Sequence, residues 1–343
     1  MPKTLWVFPA ASDSSCRPLG HFSAHARHEH MSQLSAFIRT LATPHQQTSA
    51  TPMPATRHIT IPPLVAEGFP IALCWSAKSG CTTALKWFLH QTGLLEEALA
   101  YGGWVHDYRE QKLMAEHGYP SLVNFVLQSQ DTFVIKVIRD PAKRAVSGFL
   151  HFLRAHQDPL WSVALAAVSD WLTTQGKRLE DGITFRQFLQ YLADSKQRGE
   201  PVDIHFQQQF DPAQDPRVDQ YIPIERIGES LAALEMRFSL PHSDIHAFSH
   251  SSHHNAPSSR HRWPEQAADF PAGSKTLEDL GTPPAEVFLD RQTLRLIAEV
   301  FEDDYRNYSD FYTLPRASCL WRIFCPSARL LSSVVPSFLR RAA

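Results

Sequence analysis

The sequence lacks the features of disulfide-rich secreted proteins, of membrane-spanning proteins and of proteins with a structural zinc site. It holds only five cysteines, whose positions follow neither a disulfide pattern nor a zinc-ligand pattern. It has no stretch of about 18 or more consecutive apolar residues, so we expect no membrane-spanning helix. The first residues also lack the charged-then-apolar pattern of a leader peptide, so we expect no Golgi-type anchor. These absences favour a reducing compartment, the cytoplasm.

The sequence also lacks a charge imbalance. Its 33 basic and 35 acidic side chains give a net charge of −2, so no global positive field indicates a nucleic-acid partner. Hydrophobic residues make up 43% of the 343-residue chain, which suits a soluble globular protein. We predict a poorly ordered polar tail over residues 1–60, a globular domain over 61–313 and a basic amphipathic segment over 314–343.

The C-terminal segment 314–343 carries five arginines, no acidic residue, and apolar residues at near-helical spacing. Two interpretations of it stay open. It either contacts an acidic membrane surface peripherally or docks on the globular domain as a helix.

Residues 71–83 carry the strongest functional signal. An apolar run over residues 71–75 predicts a buried strand, a small-residue loop with Lys78 follows, and helical spacing begins after it. Because the first N–H groups of a helix have no internal partner, this arrangement predicts an anion site to which Lys78 adds a full charge. The hydroxyl donors nearby are Ser79, Thr82 and Thr83. The alternative is an ordinary strand-to-helix turn with an exposed lysine.

The same loop lacks the order of residues found in a Walker A motif. That motif places its lysine directly after the last glycine and has another glycine upstream. Here Lys78 precedes Gly80, which is the only glycine of the loop. We therefore expect a loop that binds a phosphate group, but not one that binds a nucleotide together with Mg²⁺.

A second candidate anion site begins at the end of another predicted strand, residues 132–138. Arg139 follows this strand directly, Pro141 suits the first turn of a helix, and Ser147 lies near the end of its second turn. Arg139 would give charge-assisted hydrogen bonds to a phosphate, completed by the Ser147 hydroxyl. Lys143 and Arg144, which lie between these two residues, add positive charge. A helix-start ion pair with a surface serine is the alternative.

Strands that alternate with helices predict an α/β fold with a parallel sheet. A third short strand is predicted at residues 220–224, at an edge or an end because of Pro223. A long helical stretch is predicted from Pro141 to about residue 191, and a second one over residues 290–307. Residues 242–263 are predicted to form a His/Ser-rich loop. Ligands bind such sheets at the carboxyl ends of the strands, where both candidate anion sites begin.

Together the two candidate sites resemble the PAPS-dependent sulfotransferases (PAPS is 3′-phosphoadenosine 5′-phosphosulfate). Residues 77–83 are similar to their 5′-phosphosulfate loop, and residues 133–147 to their 3′-phosphate segment. Segments 205–209 and 221–227 are similar to the carbohydrate branch of the family, without a membrane anchor. The resemblance covers roughly residues 70–312.

The resemblance implies a P-loop-NTPase-like three-layer fold, with a central parallel sheet flanked by helices, and PAPS as the donor. It implies that Lys78 holds the 5′-phosphosulfate and stabilises charge as the sulfuryl group leaves. We expect no metal requirement, because a sulfuryl group carries less charge than a phosphoryl group. The implied donor-binding residues are Ser76, Ala77, Lys78, Ser79, Gly80, Cys81, Thr82, Thr83, Arg139, Ser147, Asn255 and Arg260.

A hydroxyl acceptor needs a proton acceptor within hydrogen-bond reach. His106 lies between the two donor segments, where some carbohydrate sulfotransferases carry an active histidine, and His205 begins the segment 205–209. Both are candidates for the catalytic base. A zinc site in the His/Ser-rich loop is disfavoured, because its histidines have no fixed spacing and no cysteine or acidic partners.

The sequence therefore predicts sulfuryl transfer from PAPS to a hydroxyl of a carbohydrate, a glycolipid or a small molecule. Two other classes stay open, an ATP- or GTP-dependent kinase or NTPase and a non-catalytic nucleotide binder. The order of the loop residues counts against the first, as does Arg139-Asp140 in place of a Walker B acid. The presence of Lys78, Arg139 and Ser147 together counts against the second.

Overall fold

The computed structural model describes residues 58–102, 104–154, 162–249 and 263–313. Four predictions lie outside these residues: those for the tail up to residue 57, the C-terminal segment 314–343, Asn255 and Arg260. Within the described part of the chain, no helix is long and apolar enough to cross a membrane.

Three parallel strands form the sheet of the described residues, in the order β1–β2–β3. They are β1 (Ile71–Trp75), β2 (Phe133–Ile138) and β3 (Gln220–Pro223). Leu73 is level with Ile135, and Val137 is level with Ile222. Every residue of β1 is buried, as expected for an apolar strand covered on both faces. The predicted α/β fold with a parallel sheet is confirmed, and Pro223 ends the outer strand β3.

Helices surround this sheet. In chain order they are α1 (Cys81–Gln91), α2 (Leu95–Gly102), α3 (Val105–Tyr108), α4 (Tyr119–Gln128), α5 (Pro141–Arg154), α6 (Ser162–Thr174), α7 (Phe185–Arg198), α8 (Ile227–Phe238), α9 (Ile245–Ser249), α10 (Ser274–Leu280), α11 (Arg291–Val300) and α12 (Glu302–Asn307). A π-helical turn (Arg109–Leu113) continues α3. Single 3₁₀ turns occupy Leu179–Asp181, Asp215–Arg217, Ile224–Arg226, Ala267–Asp269 and Ala285–Phe288.

Two predicted helical stretches are interrupted. The first is broken before α7, which continues past residue 191 to Arg198. Thr184 starts α7 with a capping box, because its hydroxyl accepts from Gln187 N–H while Gln187 Oε1 accepts from Thr184 N–H. The stretch predicted over 290–307 divides into α11 and α12 at Phe301, whose φ of −106° and ψ of 35° leave the helical region.

The stretch predicted as a His/Ser-rich loop contains the short helix α9. Asp244 precedes it and accepts hydrogen bonds from the N–H groups of His246 at 3.0 Å and Ala247 at 3.3 Å. Phe248 is buried, with its ring 5.4 Å from that of His90 on α1. With two buried apolar residues in five, α9 is too short for periodicity to predict.

Lys136 lies in the middle of β2 and is fully buried. Its ammonium pairs with the Asp215 carboxylate and donates to the Gln209 carbonyl at 2.7 Å. Asp215 also accepts from the Tyr308 hydroxyl at 2.8 Å and the Tyr221 hydroxyl at 3.1 Å. The buried charge is therefore paired and hydrogen-bonded, which is the condition for keeping it in the interior. This network joins β2 to the segment before β3 and to the residues after α12.

Candidate functional site

The loop between β1 and α1 turns through two left-handed residues. Lys78 has a φ of 69° and Gly80 has a φ of 81°. A non-glycine residue in this region is uncommon, and such strained positions concentrate at functional sites. A Cβ at Gly80 would lie 2.7 Å from Ile224 Cδ1, so the close approach of Ile224 also favours glycine there. The turn places Lys78 at the carboxyl end of β1, beside the start of α1.

The N-terminus of α1 has no side-chain cap. The first bond of the helix runs from Ala84 N–H to the Gly80 carbonyl at 3.1 Å. The N–H groups of residues 81–83 precede that bond and have no backbone partner among the described residues. Together with the helix dipole they form a site suited to an anion. Cys81 and Thr82 are half-buried there, and Thr83 is buried.

The Lys78 ammonium makes no hydrogen bond or ion pair with any described residue. Its pKa is lowered to about 8. Burial is the main cause of the lowered pKa, and the positive charges of three arginines lower it further, whereas Cys81 raises it. The arginines are Arg139, Arg154 and Arg144. Because an anion would relieve the repulsion among these four cations, the cluster fits a phosphate or sulfate group.

Arg139 and Arg144 hold the loop from the side of β2. Arg139 Nη1 donates to the Lys78 carbonyl at 3.0 Å. Arg144 donates through Nε to the Ala77 carbonyl at 2.9 Å and through Nη1 to the Gln207 carbonyl at 2.6 Å. Burial lowers the pKa of Arg144 to about 10, although Asp304 opposes this shift. Arg144 therefore stabilises the loop through hydrogen bonds to main-chain carbonyls, whereas from the sequence we expected its charge to attract the anion.

The start of α5 follows its prediction. Pro141 opens the helix, and Asp140 Oδ1 accepts from Lys143 N–H at 2.9 Å as an N-cap does. Ser147 lies near the end of the second turn of α5 and is half-buried. Arg139 thus lies just before α5 and Ser147 lies within its second turn, both after the carboxyl end of β2.

Gln209 connects the two candidate anion sites; the sequence had placed it at the end of the segment 205–209 but indicated no structural role for it. Its Oε1 accepts from the Ser79 hydroxyl at 2.7 Å and from Arg139 N–H at 2.8 Å. Its Nε2 donates to the Arg139 carbonyl at 2.8 Å, and its N–H donates to the Asp304 carboxylate at 2.7 Å. One residue, through its side chain and its main-chain N–H, therefore ties together the loop after β1, the end of β2 and α12.

This connection engages donors that we expected to face an anion. The Ser79 hydroxyl is fully buried and donates to Gln209, while Ser79 N–H donates to the Ser76 carbonyl at 3.2 Å. Ser76 is also buried, and its hydroxyl lies 3.5 Å from the Gln209 carbonyl. The Ala77 carbonyl is held by Arg144. The first half of the loop therefore shapes the turn, and Lys78 and the α1 N-terminus are the parts available to a ligand.

His106 lies against the N-terminus of α1. Its Nε2 is 3.0 Å from Thr82 Oγ1, and its Nδ1 is 3.1 Å from Arg109 Nη1. The Arg109 guanidinium stacks on the Trp75 ring, 4.6 Å from its centroid. The fold thus brings this candidate base to the predicted donor loop.

His205, the other candidate base, is paired with Asp203. His205 Nδ1 lies 2.6 Å from Asp203 Oδ1. Because an ionised carboxylate only accepts hydrogen bonds, Nδ1 carries the proton and Nε2 carries the lone pair. Burial lowers the pKa of His205; Asp203 opposes this, and the charges of Lys78 and Arg144 add to it. His205 is therefore neutral near pH 7 and lies within the field of Lys78.

No group of three or more His, Cys, Asp or Glu residues that could hold a metal ion is found in the described ranges. Of the histidines weighed as zinc ligands, His242 pairs with Glu235 at 3.3 Å and His246 is exposed. Those at positions 250, 253, 254 and 261 lie outside the described residues.

The sheet, the strained lysine loop and the uncapped helix start make up an α/β protein with a candidate anion site at its strand ends. A family model described as the sulfotransferase family matches residues 64–312, and the chain therefore belongs to that family. Membership implies a PAPS-dependent sulfotransferase and confirms the resemblance. Searches of curated proteins and of solved structures gave no significant match. The Lys78 ammonium, which has no partner among the described residues, and the start of α1 are suited to the anionic groups of PAPS.

We expect Gln209→Leu to lower the free energy of unfolding by roughly 2–4 kcal/mol, because each buried polar group left unpaired costs about 1–3 kcal/mol. Urea denaturation measures the loss. The control is Gln208→Leu, which removes a hydrogen bond from Nε2 to Asp303 at the surface side of the same segment. We expect it to cost less than half as much. Equal losses in the two variants would contradict the connecting role of Gln209.

We also expect the affinity for adenosine 3′,5′-bisphosphate to fall as the pH rises through about 8. Lys78 is charged below its pKa and neutral above it, so the anion loses its cation as the pH rises. Lys78→Arg keeps a positive charge throughout and should flatten this dependence. Calorimetric titrations on both sides of pH 8 measure it. An unchanged dependence in Lys78→Arg would show that another group titrates.

Proposed function

We propose that the protein transfers the sulfuryl group of PAPS to a hydroxyl of a carbohydrate or a glycolipid, with Lys78 at the centre of the donor site. Family membership gives the class of activity; the residue roles and the acceptor are the proposal. The observation that carries it is the Lys78 ammonium, which has no described partner although three arginines surround it.

In this proposal Lys78 and the first N–H groups of α1 hold the 5′-phosphosulfate. Arg139 and Ser147 bind the 3′-phosphate from the other strand end. When bound, PAPS supplies the sulfuryl group and a leaving phosphate that gains negative charge. Lys78 places its charge where that negative charge develops, and it therefore stabilises the transition state more than the ground state.

His205 is the catalytic base in this proposal, in preference to His106. Asp203 holds the Nδ1 proton of His205, so the Nε2 lone pair is the one that takes the proton of the acceptor hydroxyl. Asp203 then stabilises the imidazolium. His106 is less suited to this role, because its Nδ1 already faces an Arg109 donor and its Nε2 faces Thr82.

Trp104 supports a sugar as the acceptor. Its side chain is 42% exposed, and its ring centroid lies 4.8 Å from that of His106, at the start of α1. A tryptophan face offers a broad apolar surface on which a sugar ring can stack beside the donor loop. The likeness of segment 205–209 to the carbohydrate branch is a second support. A cytoplasmic location and membrane contact through residues 314–343 stay predictions.

Transfer of labelled sulfuryl groups from PAPS tests the acceptor class. We expect transfer to glycans and glycolipids that exceeds transfer to simple phenols, with EDTA present throughout. Trp104→Ala should raise KM for a sugar acceptor more than it lowers kcat, since stacking contributes to ground-state binding. The control is Phe125→Ala, another exposed aromatic residue, on α4. Efficient transfer to phenols alone would contradict a carbohydrate acceptor.

We expect Arg139→Ala to weaken binding of adenosine 3′,5′-bisphosphate by about 1.5–3 kcal/mol, as for other hydrogen bonds to charged groups. Binding of AMP, which lacks the 3′-phosphate, should change much less. The control is Lys143→Ala, which removes an exposed cation four residues after Arg139. If Arg139→Ala still distinguishes the bisphosphate from AMP as well as the wild type does, the 3′-phosphate assignment is wrong.

We expect kcat/KM to fall at acidic pH, because protonated His205 cannot accept a proton. The midpoint should lie below the ordinary histidine pKa, as burial lowers the pKa of His205. Asp203→Asn should move this midpoint to still lower pH, since Asp203 raises that pKa, and should reduce the plateau rate. The control is His151→Gln, which replaces a neighbouring histidine whose ring centroid lies 5.0 Å from that of His205. An unchanged acidic limb in His205→Gln would exclude His205 as the base.

A further inference from the structure

The hydrogen bonds of His106 fix which of its ring nitrogens carries a proton. Arg109 Nη1 lies 3.1 Å from His106 Nδ1. A guanidinium can only donate hydrogen bonds, so Nδ1 must be the acceptor. The proton of the neutral ring is then on Nε2, which lies 3.0 Å from Thr82 Oγ1. His106 therefore donates to Thr82.

This direction of donation determines what the Thr82 hydroxyl can do. Its oxygen accepts from His106, so its own proton points elsewhere. Among the described residues none accepts a hydrogen bond from Thr82. Thr82 is the second residue of α1, whose N-terminus has no side-chain cap. A hydroxyl donor thus lies next to the N–H groups that face the candidate anion.

The surroundings of Arg109 hold this chain of donors in place. Arg109 is 7% exposed, stacks on Trp75 at 4.6 Å, and pairs with Glu110 through Nη2. It begins the π-helical turn Arg109–Leu113, a local geometry that is frequent at functional sites. The ring of Trp75 also lies 6.0 Å from that of His106. The imidazole therefore has little freedom to turn over.

We propose that Arg109 and His106 are positioning residues that hold the Thr82 hydroxyl as a hydrogen-bond donor to the 5′ end of the bound nucleotide. This inference rests on the proposed donor site. In it, Arg109 sets the tautomer of His106, His106 sets the direction of the Thr82 hydroxyl, and Thr82 contacts the ligand. His106 then acts through its Nε2 proton and not as a base.

Glutamine at position 106 separates positioning from base catalysis. A glutamine side chain can donate to Thr82 through Nε2, as histidine does, but it cannot take up a proton from the acceptor. His106→Gln should therefore restore most of the donor affinity and kcat that His106→Ala loses. If the two variants lose kcat equally while donor affinity is retained, His106 is the base and the proposal is overturned.

Nucleotide binding, measured by calorimetry in EDTA, locates the contact. Thr82→Val and His106→Ala should each weaken binding of adenosine 3′,5′-bisphosphate by roughly 10- to 100-fold. Neither should change binding of adenosine 3′-monophosphate, which lacks the 5′ group. The double variant should bind like Thr82→Val alone, because the two residues act through one hydroxyl. An unchanged affinity in Thr82→Val, or additive losses in the double variant, would overturn the proposal.

Two further readouts separate this proposal from the donor site on which it rests. A wild type that binds the two nucleotides equally, or neither, would overturn the donor site and the positioning role with it. Nitrogen-15 NMR of the intact protein reads the His106 tautomer without any substitution. A protonated Nε2 with an unprotonated Nδ1 supports the inference, and the opposite tautomer contradicts it even where nucleotide binding is normal.

Discussion

The rest of the site depends on the hydrogen bonds of the Gln209 carboxamide. Gln209 is 1% exposed, and its side-chain oxygen accepts from both the Ser79 hydroxyl and Arg139 N–H. Its nitrogen donates to the Arg139 carbonyl, which fixes the orientation of the amide. Lys78 and Arg139 come from the ends of different strands, and this amide sets their relative position. Two anion-binding groups can act on one nucleotide only if that separation is held.

The cations around the site differ in their partners, and this difference separates the cations that support the fold from the one that we propose to bind the donor. Lys136 pairs with Asp215, and Arg144 is bonded to main-chain carbonyls with Asp304 nearby. Both are fully buried and satisfied, as interior charges must be. Lys78 alone among these three cations has no described partner. The repulsion that it experiences from the neighbouring arginines is relieved when an anion binds, so part of the affinity is built into the unliganded protein.

The sequence predicted the elements whose signals are local. The strands β1 and β2, the loop around Lys78 and the start of α5 at Pro141 each follow from adjacent residues, and the family followed from their combination. The sequence placed Gln209 and Arg144 in its candidate segments but did not predict their structural roles, because these depend on partners far along the chain. Gln209 bonds a hydroxyl 130 residues away, and Arg144 bonds a carbonyl 67 residues away. Likewise, the resemblance to the family selected both candidate bases, but their tautomers are defined only by the folded contacts.

The most direct test of this account is a calorimetric titration of the wild-type protein with adenosine 3′,5′-bisphosphate and with ADP, both in EDTA. We expect metal-free binding of the bisphosphate near micromolar affinity and much weaker binding of ADP, because ADP offers no 3′-phosphate to Arg139 and Ser147. Equal affinity for the two nucleotides would contradict it, as would ADP binding that requires Mg²⁺ while the bisphosphate does not bind.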